Sequence, residues 1–216
     1  MSGQSPASAR TEATRQKLFD AAMELIGQRG AAAVTVDEIA AAAGVAKGTV
    51  YYNFGSKDGL VEQLLRHGMA LLRAALAAAV APQTPDGGTS PRTRDDQGAA
   101  RPPLHEVRAM VANALGFIEA YPAFVRLWMG EQWRPDGTWH SVLAGMRAEV
   151  LGEIHAALAR VGRPLRPGQD LDAVATALFG ASFVVGVDRV SAMPAKPMGP
   201  AVEAVVALAA GAFWET

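Results

Sequence analysis

The chain has 216 residues, half of them hydrophobic, with a formal net charge of −1 and no cysteine. That length allows one large or two small domains with a sizeable core. The absent cysteines exclude a disulfide framework, a thiolate nucleophile, a Cys-based metal site and a thiol redox sensor, and the near-zero charge means that any nucleic-acid surface must be a local patch.

Alanine dominates the apolar residues, which favours helices because alanine loses least on entering one. Residues 1–11 are expected to form a disordered arm, and residues 1–14 contain no apolar leader segment, so no signal peptide is expected. A first helix is predicted over residues 12–28, with Leu18, Phe19, Ala22, Leu25 and Ile26 on one face and Gly30 as a left-handed stop. Thr35-Val36-Asp37-Glu38 reads as a capping box opening a short helix that runs to about Ala43 and is broken by Gly44. A second short helix covers Lys47 to Tyr52. Ser56 then caps a long helix over residues 57–81, with Leu60, Leu64, Leu65, Met69, Leu72 and Leu76 as its stripe.

Residues 82–103 change abruptly to Pro, Gly, Thr, Asp and Arg and read as a flexible loop. Further helices are predicted over residues 104–120, 122–129, 138–161, 169–193 and 199–214, giving about nine in an all-α fold with no strand pattern and no repeat. The longest apolar run, residues 171–187, is shorter than the ~20 residues of a membrane span. It holds Asp172, reads as a buried helix, and implies no membrane partner.

The stretch from Thr35 to Lys57 is the informative one. Two short helices meet at a tight turn on Gly44. Ala40 is small where they cross, and Ile39, Val45 and Val50 point to a shared core. This is the layout of a helix-turn-helix, whose second helix enters the DNA major groove and would expose Lys47, Gly48, Thr49, Tyr51 and Tyr52. Short motifs have many false positives, so a plain Gly-broken helix pair is the alternative at this point.

The full string TRQKLFDAAMELIGQRGAAAVTVDEIAAAAGVAKGTVYYNFGSKDGLVEQLL, which spans the first third of the chain, resembles the N-terminal domain of the TetR family of bacterial transcriptional regulators. The resemblance implies roles residue by residue. Thr35 would cap its helix and touch a phosphate. Lys47, Gly48 and Thr49 would lie against base edges, while Tyr51, Tyr52 and Asn53 would contact mainly the DNA backbone. Lys57 would clamp a further phosphate, and Phe54 would be core. Arg15 and Lys17 are either extra contacts or an ordinary solvated face. Many members carry Ser where this chain has Ala46, which removes a helix cap.

The same resemblance implies a helix-turn-helix domain over residues 12–56 and a ligand-binding and dimerisation domain over residues 57–216. A cytoplasmic homodimer would bind a palindromic double-stranded operator, as a repressor released by a small-molecule effector, with no cofactor and no metal. The last two helices would form the dimer interface through Val174, Leu178, Ala181, Val185, Val202, Val206 and Phe213, unless they are simply buried in one subunit. Met110, Phe117, Phe124, Trp128, Trp133, His140 and Met146 would line a pocket for an apolar or aromatic ligand, unless they are plain core. Glu131, Arg134, His105 and Asn113 are possible polar anchors, each with a surface position as the alternative.

Two other functions compete with this one. A ligand-independent DNA-binding dimer would share every N-terminal feature. A helical enzyme finds no support: His67, His105, His140 and His155 include no i, i+4 pair, and no nucleophile elbow or phosphate-cradling loop is present.

Overall fold

The computed structural model describes residues 6–80, 104–132, 134 and 137–214. Among them are nine α-helices: α1 (Pro6–Arg29), α2 (Val36–Ala42), α3 (Lys47–Phe54), α4 (Lys57–Val80), α5 (His105–Ala120), α6 (Pro122–Gln132), α7 (His140–Ala159), α8 (Leu171–Ser191) and α9 (Met198–Ala210). A one-turn 3-10 helix (Ala31–Ala33) follows α1, and no strand occurs among the described residues. The all-α expectation holds. α1 begins at Pro6, where a missing N–H costs nothing, so the expected arm to residue 11 is helical from that point. The loop expected over residues 82–103 lies outside the described residues.

The chain divides into two compact units. One takes in the described residues of Met1–Leu71 and Tyr121–Ala148, the other those of Leu72–Ala120 and Glu149–Thr216. The division therefore does not follow the boundary expected at residue 57, because α6 packs with α1.

In the first unit, Leu18, Phe19, Ala22 and Ile26 of α1, Ile39 and Ala40 of α2, Val50 and Phe54 of α3 and Leu60, Leu64 and Leu65 of α4 are buried. Gly30 adopts the left-handed conformation (φ 80°) and donates to the Ile26 carbonyl at 2.7 Å, ending α1 as its sequence predicts. α1 and α6 approach so closely that a Cβ on Gly27 would lie 2.5 Å from the Ala123 Cβ. Arg126 Nε reinforces the contact by donating to the Gly27 carbonyl at 2.8 Å. Phe124 lies against Gly68, where a side chain would collide with its ring.

In the second unit, α5, α8 and α9 pack on one another. Asp170 caps α8 by accepting from the Ala173 N–H at 2.8 Å, and Gly186 gives the Ile118 side chain room. Buried Arg189 pairs with Glu119 at 2.6 Å and donates to the Lys196 carbonyl at 3.2 Å. The C-terminal residues are tied back by an isolated bridge between Leu165 and Phe213. The Arg166 guanidinium adds a bond to the Phe213 carbonyl at 2.9 Å.

At 21 residues, α8 is long and apolar enough to cross a membrane by length and composition, so the length argument made on residues 171–187 does not hold. Its packing against α5 and α9 is what places it in a helical bundle. Only 22% of its apolar window is buried within one chain.

Candidate nucleic-acid interface

The site begins with the capping box. Thr35 Oγ1 accepts from the Glu38 N–H at 3.3 Å, while Glu38 Oε2 accepts from the Thr35 N–H and hydroxyl, each at 2.8 Å. Arg29 closes the group from α1, 2.8 Å from Glu38. These bonds favour the charged carboxylate and lower the Glu38 pKa to about 2, with the Thr35 backbone bond the largest cause. The capping role of Thr35 is thus realised, but its single hydroxyl proton is already given to Glu38 and its N–H likewise.

The turn is built from local bonds. Ala43 N–H reaches the Ile39 carbonyl at 2.9 Å, and Val45 N–H returns to the Ala40 carbonyl at 3.0 Å. Between them Gly44 takes φ 68°, a conformation that favours glycine. With Ala40 small and buried, α2 and α3 cross closely.

α3 then spends Val50 and Phe54 on the core and turns the rest outward. Tyr51 is 46% and Tyr52 87% exposed. Lys47 and Gly48 are exposed, and Thr49 is half-buried. Ala46 stands at the N-cap and supplies no side-chain bond to the first turn. Lys47 reaches back to Asp37 on α2 at 2.9 Å, and that carboxylate holds its ammonium above the usual lysine range. Asn53 turns its side-chain amide onto the Thr49 carbonyl at 2.8 Å.

Lys57 is placed differently from expectation. Its ammonium donates to the Ala31 and Val34 carbonyls, at 2.8 and 2.9 Å. It ties the start of α4 to the segment before α2, which leaves one of three protons for any other partner. Arg15 is also structural. Its guanidinium lies 5.0 Å from the Phe54 ring centroid and 2.5 Å from Gln63 Oε1. Lys17 is exposed, in a shallow groove it shares with Asp20 and Glu24. The carboxylate Asp37 is the participant that sequence reading missed at this surface. Its spacing of ten residues from Lys47 crosses the turn and follows no helical period.

The other expected sites fare unevenly. Met110 and Phe117 are buried in the second unit, and Phe124, Trp128 and Met146 in the first. Phe124 packs on Trp128 with ring centroids 5.9 Å apart. His140 is exposed, and Trp133 lies outside the described residues. Of the expected interface residues, Val174 and Leu178 of α8, Val202 and Val206 of α9 and Phe213 beyond it are buried within a single chain. Ala181 and Val185 are half-buried, and Val174 and Leu178 form the floor of a groove with Ala173, Ala177 and Leu208. Val184 and Leu208 are the outward residues, at 64% and 66% exposure. Glu131, whose surface position was the alternative to a polar anchor, is buried.

Residues 18–64 match the TetR_N family model, described as bacterial regulatory proteins, tetR family. The HTH-type transcriptional regulator BetI of Brucella anthropi is 44% identical over 66 residues, which is 31% of this chain and 34% of that protein. The chain thus matches about a third of the length of this curated relative. The fold extends further. A TetR-like transcriptional regulator from Rhodococcus sp. RHA1 superposes with a TM-score of 0.69 at 22% identity, covering 91% of this chain and 93% of that one. AibR, solved in complex with isovaleryl coenzyme A and operator DNA, superposes with a TM-score of 0.69 at 17% identity, covering 93% and 100%.

Proposed function

Because this chain belongs through residues 18–64 to the TetR family of bacterial regulatory proteins, we propose that it is a transcriptional regulator that reads a palindromic operator with α3. The observation that carries this reading is the division of α3 itself. Its Val50 and Phe54 are buried, while Tyr51 and Tyr52 stand out from the surface. Phenol hydroxyls and a lysine suit phosphate oxygens and base edges. The Lys47 and Gly48 N–H groups at the start of α3, which no Ala46 side chain caps, add donors of the kind that bind phosphate at a helix N-terminus.

Two copies are needed for a two-fold operator. The apolar surface that α8 and α9 leave outward, Ala173, Ala177, Val184 and Leu208, supports a symmetric dimer through those helices. The second half of the proposal is release by an apolar or aromatic small molecule, which must bind the DNA-incompetent state better to shift the equilibrium. AibR was solved with both isovaleryl coenzyme A and operator DNA, and this supports an effector of some kind here. Repression is the mode proposed.

The test is binding to DNA from around the protein's own gene, titrated with salt, for the natural chain and for Tyr52→Ala. A tight complex with a log–log salt slope of about −0.9 per phosphate contact, weakened in Tyr52→Ala, is expected. Equal and weak binding by both proteins to every fragment would overturn the reading. A thermal shift on adding candidate ligands separates an inducible regulator from a ligand-independent one.

A further inference from the structure

Glu131, near the end of α6, is a carboxylate whose side chain is only 9% exposed. A buried carboxylate is costly unless it is paired and hydrogen-bonded. Among the described residues its side-chain partner is Arg134, at 3.5 Å, and that guanidinium is itself 59% exposed. A charge-assisted bond of this type ordinarily closes to ~2.7–2.9 Å. Lys57, which lines the same cavity, gives its ammonium to the Ala31 and Val34 carbonyls.

Glu131 lines a cavity of about 200 Å³ together with Arg134, Trp139, Lys57, Asp58 and Ala31. Trp139 is buried, and its indole N–H is fixed on the Asp58 carbonyl at 3.2 Å, so this wall of the cavity is held in place. All six residues belong to the same compact unit.

We propose that this cavity is a binding site for a small organic cation, an alkylamine or a guanidinium compound, with the Glu131 carboxylate as its counter-charge and Trp139 as its apolar wall. Arg134 is the placeholder. It offers Glu131 a guanidinium from the rim, at a distance a freely moving cation can improve on. A flat indole beside a carboxylate suits a cation with a short apolar body. The volume admits a ligand of only a few non-hydrogen atoms. An occupant would join the end of α6 to the first turn of α4, where Lys57 and Asp58 stand. The site does not depend on the DNA-binding reading, and its test uses no DNA.

The experiment is thermal unfolding and tryptophan fluorescence of the full chain, titrated with n-propylamine and methylguanidine at constant ionic strength, with 1-propanol as the uncharged control. A saturable rise in melting temperature with either cation, and none with 1-propanol, is expected. Glu131→Gln, with its helical circular dichroism unchanged, should lose that response. Arg134→Ala should tighten it at least threefold, because the competing guanidinium is gone. The proposal is overturned if 1-propanol acts as the cations do, if Glu131→Gln responds like the natural chain, or if Arg134→Ala binds no tighter.

Discussion

The ammonium of Lys47 lies 2.9 Å from the Asp37 carboxylate, across the turn that joins α2 to α3. The one lysine of the proposed reading helix is thus already partnered when DNA arrives. Both side chains are more than half exposed, so the pair is easily exchanged for a DNA contact. Asp37→Asn should free the lysine and remove a negative charge from the surface. Binding to operator and to random DNA should then tighten about two- to fivefold at low salt, and the gain should shrink as salt screens the pair. Lys47→Ala should instead alter which operator variants bind best. A competition series across single-base operator variants checks both, and a uniform loss in Lys47→Ala would contradict a base-reading role.

The family resemblance implies a DNA-backbone contact for both Tyr52 and Lys57, and the structure separates the two: Tyr52 is 87% exposed, while the Lys57 ammonium is bonded to the Ala31 and Val34 carbonyls. Tyr52→Ala removes an outward ring, so its stability should stay within about 0.5 kcal/mol of the natural chain while DNA binding weakens. Lys57→Met takes a cation away from the Ala31 and Val34 carbonyls. It should cost about 1–2 kcal/mol, less than two fully buried charged bonds would, because Lys57 is partly exposed. Urea unfolding of the two variants checks this. Equal stability would show that the Lys57 bonds hold nothing together.

The helix order and the turn chemistry were legible because each depends on a few neighbouring residues. Thr35 and Glu38 announce their box by spacing, Gly30 and Gly44 mark their turns, and the leucines of α4 recur at the helical period. The roles of Lys57 and Arg15 were not legible. Their partners, the Ala31 and Val34 carbonyls and the Phe54 ring, come from segments brought near only by folding. Val202 and Val206 illustrate a second limit. An apolar residue on a terminal helix has the same signature whether it faces its own chain or a second copy. For Glu131 the composition of α6 predicts nothing, since one acid in an apolar helix usually finds water.

Gly27 tests how tightly α1 and α6 are packed. Gly→Ala inside a helix normally stabilises by about 1 kcal/mol. At Gly27, however, the new Cβ would lie 2.5 Å from the Ala123 Cβ and 2.8 Å from its Cα. Backbone cannot give as a flexible side-chain tip can, so overpacking should reverse the sign and cost about 1–3 kcal/mol. Gly152→Ala is the matched control, because nothing lies within 4 Å of a Cβ there. Thermal melts should move the two variants in opposite directions, by about 2–4 °C per kcal/mol for a chain of this size.

The capping box carries its own pH signature. The Glu38 pKa falls from the model-compound value of 4.5 to about 2 in the fold. A depressed carboxylate pKa adds stability that is fully present above the unfolded value and is lost as pH falls through the folded one. The natural chain should therefore lose this contribution between about pH 4.5 and pH 2. Glu38→Gln should lack it and show a shallower decline in melting temperature over that window. The same decline in both proteins would mean that the box contributes nothing measurable.

If α8 and α9 meet their counterparts in a second copy, the residues that matter are those with area left to bury. Val184 and Leu208 have it, at 64% and 66% exposure, and Val202, buried in its own chain, does not. A charge at Leu208 would have to be desolvated in the assembled state, a cost borne twice in a symmetric interface. Leu208→Glu should therefore shift sedimentation equilibrium from dimer to monomer, leave the helical content intact, and weaken operator binding by more than tenfold through loss of the second reading helix. Val202→Ala should do the reverse. It should lower unfolding stability by about 2 kcal/mol, through lost core methyl groups, and leave the assembly unchanged. Dissociation by Val202→Ala with no effect of Leu208→Glu would place the partner on another face of the molecule.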